Sequence, residues 1–279
     1  PGFSFPRIAL QFHDRSPQPP APVVDFDFTT PIVAADGMGP IIFEPPVLEG
    51  GAEQADEADG GGVVLDGDGA RDVAAEVGGT ASTADVGHGP DMSRVVHQTE
   101  DEVGSIDLFC SNAGLFVPGD AEVSDELWEA SWRVNVLAHV HMARTLVPRM
   151  LERGRGYLLQ TASAAGLLSQ IGSAPYSTTK HAAVGFAEWL AITYGERGLR
   201  VSLLCPQAVR TRMTEGVEVG TVSAVDGMLE PDVVAAAVVR GLEEERFLIL
   251  PHPQVEEYMR RKAADYDRWL RGMRKLKQR

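Results

Sequence analysis

Between residues 62 and 250 the chain alternates short apolar runs with stretches of helical pattern, and few folds accept that rhythm. The apolar runs fall at Val63-Val64-Leu65, 81–86, 106–110, 157–160, 201–205 and 247–250. Helical stretches occupy 67–77, 91–103, 124–150, 175–195 and 231–244. Strands that are apolar on both faces need helices above and below, so the pattern predicts an α/β fold with a doubly wound parallel sheet. Local signals agree: Gly78-Gly79 stops the first helix, Ser124 with Asp125 and Glu126 opens the long one, and Pro175 stands near the start of the next. Ligands of such sheets sit beyond the carboxyl ends of the strands, so functional residues are to be sought just after each run.

The first 60 residues lack this texture. They hold 10 of the 18 prolines, and 10 acidic residues against only Arg7 and Arg15. Proline removes a backbone donor and restrains its predecessor, so irregular chain is expected over most of this stretch. Residues 31–35 and Ile41-Ile42-Phe43 are short enough to be isolated strands. Three regions follow: an atypical acidic, proline-rich segment at 1–60, the sheet domain at 61–252, and a basic C-terminal helix at 253–279.

Composition narrows the classes. A chain of 279 residues with 44% apolar and 23% charged residues suits a globular domain. A net charge of −15 argues against nucleic acid as a partner, because phosphates are repelled unless basic residues cluster. They cluster only at 255–279, nine Lys/Arg against four Asp/Glu. That stretch is read as a solvated helix face, with a basic arm for a partner surface as the alternative. No apolar run reaches membrane-spanning length and no leader pattern opens the chain, so a cytoplasmic protein is expected. Cys110 and Cys205 each end an apolar run and are read as buried thiols, not a disulfide or metal pair; no metal site is expected.

The chemistry lies just past the strands. Tyr176 and Lys180 are four apart on one helix, hence on one face, where an ammonium lowers a phenol's pKa. Tyr258 and Lys262 repeat that spacing, so the pair needs an independent test. Ser163 stands thirteen residues before Tyr176, whereas Glu245 stands thirteen before Tyr258. Ser111-Asn112-Ala113-Gly114 follows the run ending at Cys110, Asn135 lies in the long helix, and Pro206-Gln207-Ala208-Val209-Arg210-Thr211 follows Cys205.

From about residue 62 to 250 this set resembles the short-chain dehydrogenase/reductase family, with its Rossmann-like fold. The resemblance implies catalytic roles for Asn135, Ser163, Tyr176 and Lys180, with Tyr176 as acid/base and Asn135 holding a water that links Lys180 to solvent. It implies cofactor contacts from Asn112, Ala113, Gly114, Tyr176, Lys180, Pro206, Val209 and Thr211, and from Asp85-Val86 at the adenine. Gln207 departs from the family's glycine. Asp66, at the end of the second strand, would bind the adenosine ribose and repel a 2′-phosphate, which favours NAD over NADP. The implied activity is interconversion of an alcohol and a ketone or aldehyde. Met213, Val217, Val219, Val222 and Met228 in the substrate-covering stretch 212–230 point to an apolar small-molecule substrate. Pairing of family members through two long helices implies a homodimer or homotetramer.

One family element is missing. The glycine-rich loop that receives the pyrophosphate at a helix N-terminus should stand some thirty residues or more before Asp66. Gly37-Met38-Gly39-Pro40 comes nearest, but Pro40 removes an amide where donors are wanted. Segment 1–60 is thus either a divergent N-terminus or a stretch translated out of frame and joined to an intact body near Gly60. The rival function is a non-catalytic scaffold or nucleotide sensor. A serine hydrolase is disfavoured because Ala162-Ser163-Ala164 lacks the Gly-x-Ser-x-Gly elbow.

Overall fold

The computed structural model describes residues 79–214 and 224–278, Ala74, and the backbone of 32–35, 38–42, 46–47 and 64–65. Seven strands form the main sheet: β1 (Ile32–Ala35), β2 (Met38–Ile42), β5 (Thr80–Ala81), β6 (Ile106–Ser111), β7 (Gly156–Thr161), β8 (Leu199–Leu204) and β9 (Leu248–Ile249). Their spatial order is β5-β2-β1-β6-β7-β8-β9, the order of a doubly wound Rossmann sheet. β6 to β9 pair in parallel, and so do β2 and β5. β1 fills the central slot but runs antiparallel to both neighbours, β2 and β6.

The reversal has a local cause. Ala35 pairs with Met38 only three positions on, and the two residues between them in sequence, Asp-Gly, are a strong hairpin signal. A connection that short can only join antiparallel strands. With β2 aligned to the rest of the sheet, β1 must point the other way. The β1–β2 register jumps between Val33 and Ala35, so Gly39 and Pro40 face Ala34 alone. Such a bulge accepts a proline, which has no amide to give to the ladder.

Val64-Leu65 was expected to be the second strand of the main sheet. Instead it forms β4 (Val64–Leu65), which pairs antiparallel with β3 (Pro46–Val47) in a separate two-stranded sheet. β2 already occupies the slot between β1 and β5, so no edge remains for it there. Of the expected helix at 67–77 only Ala74 lies within the described residues, helical and buried.

The helices cover both faces of the parallel half. α1 (Gly89–Glu102), α3 (Ala138–Arg153) and α5 (Ala174–Tyr194) bury Met92, Val96, Met142, Leu146, Met150, Ala187 and Leu190 against Ile106, Phe109, Leu158, Val201 and Leu203. On the opposite face α6 (Pro231–Glu243) packs Val234, Val238 and Leu242 against Leu108, Tyr157, Leu159 and Leu204. Successive strand residues thus enter opposite cores, as period-two alternation requires. Cys110 and Cys205 are buried free thiols. The long helix at 124–150 is interrupted: α2 (Asp125–Trp132) passes through a π-helical turn at Arg133–Leu137 into α3. After β7 a short α4 (Ala165–Leu168) leads towards α5. The basic end is two helices, α7 (Gln254–Ala264) and α8 (Tyr266–Lys277), broken at Asp265, whose carboxylate accepts from the Arg268 amide.

Candidate active site

The carboxyl edge of β7 builds the centre of the site. β7 and β8 stay in register to Thr161–Leu204, and their pairing continues beyond the strands as Ala162 N donates to Leu204 O and Ala164 N to Pro206 O. That extension holds Ser163 against the Pro206 loop, and Ser163 Oγ donates to Pro206 O at 3.4 Å while accepting from Ala165 N at 3.1 Å. α5 brings the phenol and the ammonium. Its start is fixed by Ser173, whose hydroxyl accepts from Tyr176 N and donates to Val117 O. The Ser163 hydroxyl stands near enough to the Tyr176 phenol to act on its pKa. Lys180 Nζ lies 5.5 Å from the centre of the Tyr176 ring and donates to Thr161 O at 3.2 Å. α5 and α4 touch without a gap: a Cβ on Gly166 would stand 2.4 Å from Lys180 O.

Burial sets the electrostatics. It lowers the Lys180 ammonium to about 8, because a desolvated cation is disfavoured. It raises the Tyr176 phenol, and the neighbouring Ser163 acts in the opposite direction. The expected lowering of Tyr176 by Lys180 does not prevail here, since loss of hydration outweighs an ammonium at this distance.

Asn135 sits inside the π turn, fully buried, with its amide well engaged. Oδ1 accepts from Leu115 N, while Nδ2 donates to Leu115 O and to Thr179 Oγ1, at 2.8, 2.8 and 3.0 Å. It therefore ties the turn after β6 to the helix of Tyr176 and Lys180, leaving one Oδ1 lone pair for a water. Thr179 in turn donates to Pro175 O.

The remaining expected contacts divide by region. Asn112 is buried with neither amide atom partnered among the described residues, and a Cβ on Gly114 would stand 3.3 Å from Lys180 Nζ. Ala113 is buried beside them. Across the site Pro206 and Val209 are buried, and Thr211 N donates to Thr214 Oγ1. Gln207 N donates to His252 Nδ1, leaving its Oε1 buried and unpartnered. Asp85 accepts from Gly87 N at 2.8 Å and Val86 is buried, both in the loop between β5 and α1. Asp66, Val217, Val219 and Val222 lie outside the described residues. Leu65, which Asp66 follows, belongs to the small sheet, so the second-strand placement behind the Asp66 contact is corrected.

A dinucleotide's nicotinamide end fits the residues present. The orphaned Asn112 amide and the two Lys180 donors without a partner among the described residues suit a ribose and its neighbours. Among the described residues no loop matches the pyrophosphate end. β1 ends at Ala35 beside Ile106, at the amino edge of β6, so its carboxyl end lies on the side away from Ser163 and Asn112.

The second Tyr-x-x-x-Lys pair is structural. Tyr258 OH donates to Asp226 Oδ1 at 2.9 Å, and Lys262 Nζ to Leu167 O at 2.6 Å. Sequence reading missed Phe116, edge-on to Tyr176 at 5.2 Å, as well as Thr179, Ser173 and His252. Phe116, beyond the β6 run, and His252, two residues past the 247–250 run, stood where a signal was to be sought.

The sheet order and the polar groups at its carboxyl edge define the class: a Rossmann-like α/β domain. The family model for short chain dehydrogenase matches residues 61–220, and the chain belongs to that family. It is 35% identical over 222 residues to the 1-deoxy-11-beta-hydroxypentalenate dehydrogenase of Streptomyces exfoliatus, covering 74% of this chain and 79% of that one. Against human epidermal retinol dehydrogenase 2 it is 33% identical over 188 residues, 64% of this chain and 60% of the relative. A short chain dehydrogenase/reductase from Burkholderia phymatum, solved in complex with NAD, superimposes with a TM-score of 0.61 at 27% identity, over 72% of this chain and 80% of that one. The chain is thus a short-chain oxidoreductase by family.

Proposed function

We propose that the protein is an NAD(H)-dependent oxidoreductase that interconverts an apolar alcohol and its ketone or aldehyde. The observation that carries this reading is the convergence of Ser163, Tyr176 and Lys180 at the carboxyl edge of β7. Bound nicotinamide supplies or accepts the hydride. Tyr176 passes a proton to the substrate oxygen in reduction and takes it back in oxidation. Ser163 donates a hydrogen bond to that oxygen and stabilises the charge developing there. Lys180, still mostly an ammonium at neutral pH, holds the ribose through its spare donors and favours the phenolate as it forms. Asn135 fixes the Gly114–Leu115 turn, and its spare lone pair serves a water leading from Lys180 to solvent. Asn112, Ala113, Gly114, Pro206, Val209 and Thr211 line the cofactor, and Asp85 with Val86 its adenine. The preference for NAD is carried by the sequence alone, an acid at Asp66 with no arginine between it and Arg71, and draws nothing from the fold, since Leu65 lies in the small sheet. The apolar substrate is supported by Met213 and Met228, and by the retinol named for one relative. A homodimer or homotetramer through α2–α3 and α5 is supported by Trp132, Trp189 and Ile192, the last 83% exposed.

A second reading, a nucleotide sensor or scaffold without turnover, is favoured by the reversed β1. Titration of the purified chain with NADH and NADPH separates the two. Saturable NADH binding, weaker for NADPH and lost in Lys180→Met, followed by turnover of secondary alcohols, is expected. Binding without turnover establishes the sensor, and no binding of either nucleotide ends both readings.

A further inference from the structure

The chain carries its charge unevenly. Residues 255–279 hold nine Lys/Arg against four Asp/Glu, while the whole chain holds 25 against 40, so the rest is strongly acidic. Within the basic end α7 neutralises itself: Arg260 and Arg261 pair with Glu256 and Glu257. α8 does not. Arg268, Arg271, Arg274, Lys275 and Lys277 are exposed, and none has an ion pair among the described residues.

The apolar residues of α8 are as ordered as its charges. At 100° per residue Trp269, Leu276, Met273, Tyr266 and Leu270 fall within an arc of about 120°. Lys277, at the open end, is the one charge inside that arc. Arg274, Arg271, Lys275 and Arg268 continue from the Leu270 edge, with Asp267 as the single acid among them. Trp269 turns inward onto Tyr258, ring centres 6.4 Å apart, and joins the cluster of Ala164, Leu168 and Val255. Tyr266 and Leu270, by contrast, are 56% and 46% exposed. No residue of α8 is buried.

We propose that α8 lies on an anionic lipid surface, with Tyr266 and Leu270 in the headgroup boundary and its basic arc on the lipid phosphates. A short helix of low mean hydropathy, with Lys/Arg on one side and aromatic and aliphatic residues on the other, suits that interface plane. Among the described residues no helix is long and apolar enough to cross a membrane, so the contact is peripheral. Lipid is favoured over nucleic acid because a phosphodiester backbone offers no sink for Leu270 beside the arginines. A second copy is the competing occupant, because Asp125, Glu126 and Glu129 stand beside the exposed Leu127 and Trp132 on α2, and self-association is therefore read separately in the test.

The test uses the full chain and sedimentation with vesicles. Binding is expected to vesicles of phosphatidylserine and phosphatidylcholine, about one to two, and not to phosphatidylcholine alone. Half-molar salt should weaken it at least tenfold, as exposed charges are then screened. R271E/R274E/K275E should lose binding at least tenfold and L270S severalfold, each with an unchanged circular dichroism spectrum. The proposal is overturned if the chain fails to bind, if neutral vesicles bind equally, or if L270S binds as tightly as the parent, which marks a general polyanion site. It is equally overturned if the charge reversal abolishes self-association in sedimentation velocity while vesicle binding persists.

Discussion

The two halves of the main sheet are built on different principles. From β6 to β9 every strand is parallel, both faces are packed, and buried polar side chains follow three of the carboxyl ends: Asn112 after β6, Ser163 after β7 and His252 after β9. On the other side the slots are filled in the same order, but the central strand belongs to a hairpin and is reversed. The difference separates two tasks that such domains usually perform together. The proposed proton transfer draws on β6, β7, β8 and α5, with Asn135 in the π turn beside them, all in the parallel half. Holding a pyrophosphate needs a forward-running central strand with a turn of free amides after it, and a reversed strand delivers its turn to the wrong edge.

The largest effect expected from this division falls on chemistry alone. Tyr176→Phe should reduce turnover about 10³-fold, within the usual range for loss of a general acid/base, while NADH binding changes less than threefold. Equal losses of binding and turnover would join the two tasks again. Next in size is Val33→Pro. Val33 pairs with Ile41 on one side and Phe109 on the other, so proline there breaks a ladder at the centre of the sheet and should cost about 3 kcal/mol in urea melts. An unchanged midpoint would remove β1 from the central slot. The smallest effect concerns His139, which lies within the parallel half, bonded through Nδ1 to Ser111 Oγ at 2.7 Å. Burial first, and then Lys180, lower it to about 3. Between that value and its ordinary 6.5 the unfolded chain binds a proton that the folded chain refuses, so stability falls as pH drops through this window. The slope contributed is at most about 1.4 kcal/mol per pH unit, and His139→Gln should flatten acid unfolding by that amount.

The parallel half was legible because its signals are local and repeated. Apolar runs placed β6, β7 and β8 within two residues, and Tyr176, Lys180 and Ser163 came together at their ends as the spacing implied. The direction of the reversed strand is not legible from 31–35 and Ile41-Ile42-Phe43 as short apolar runs: only the Asp-Gly pair between them in sequence bears on it, and the neighbouring prolines point to irregular chain. Val64-Leu65 misled for a related reason, since a short apolar run states that a strand exists but not which sheet takes it. Thr179 and Ser173 escaped because a hydroxyl acquires a role only through its partner, here Asn135 Nδ2 and the Tyr176 amide, and those partners are distant in sequence or belong to the backbone.

The wide turn at Arg133–Leu137 makes the number of residues matter more than their kind. A helix advances about 100° per residue, so deleting any one position there rotates everything on one side of the cut relative to the other. Either Asn135 swings away from Leu115 and Thr179, or Met142, Leu146 and Met150 leave the face on which they pack. The bonds around Asn135 thus fix the phase of two helices at once. Substitutions at its flanks change only packing, while a single lost codon takes the site and the core out of step.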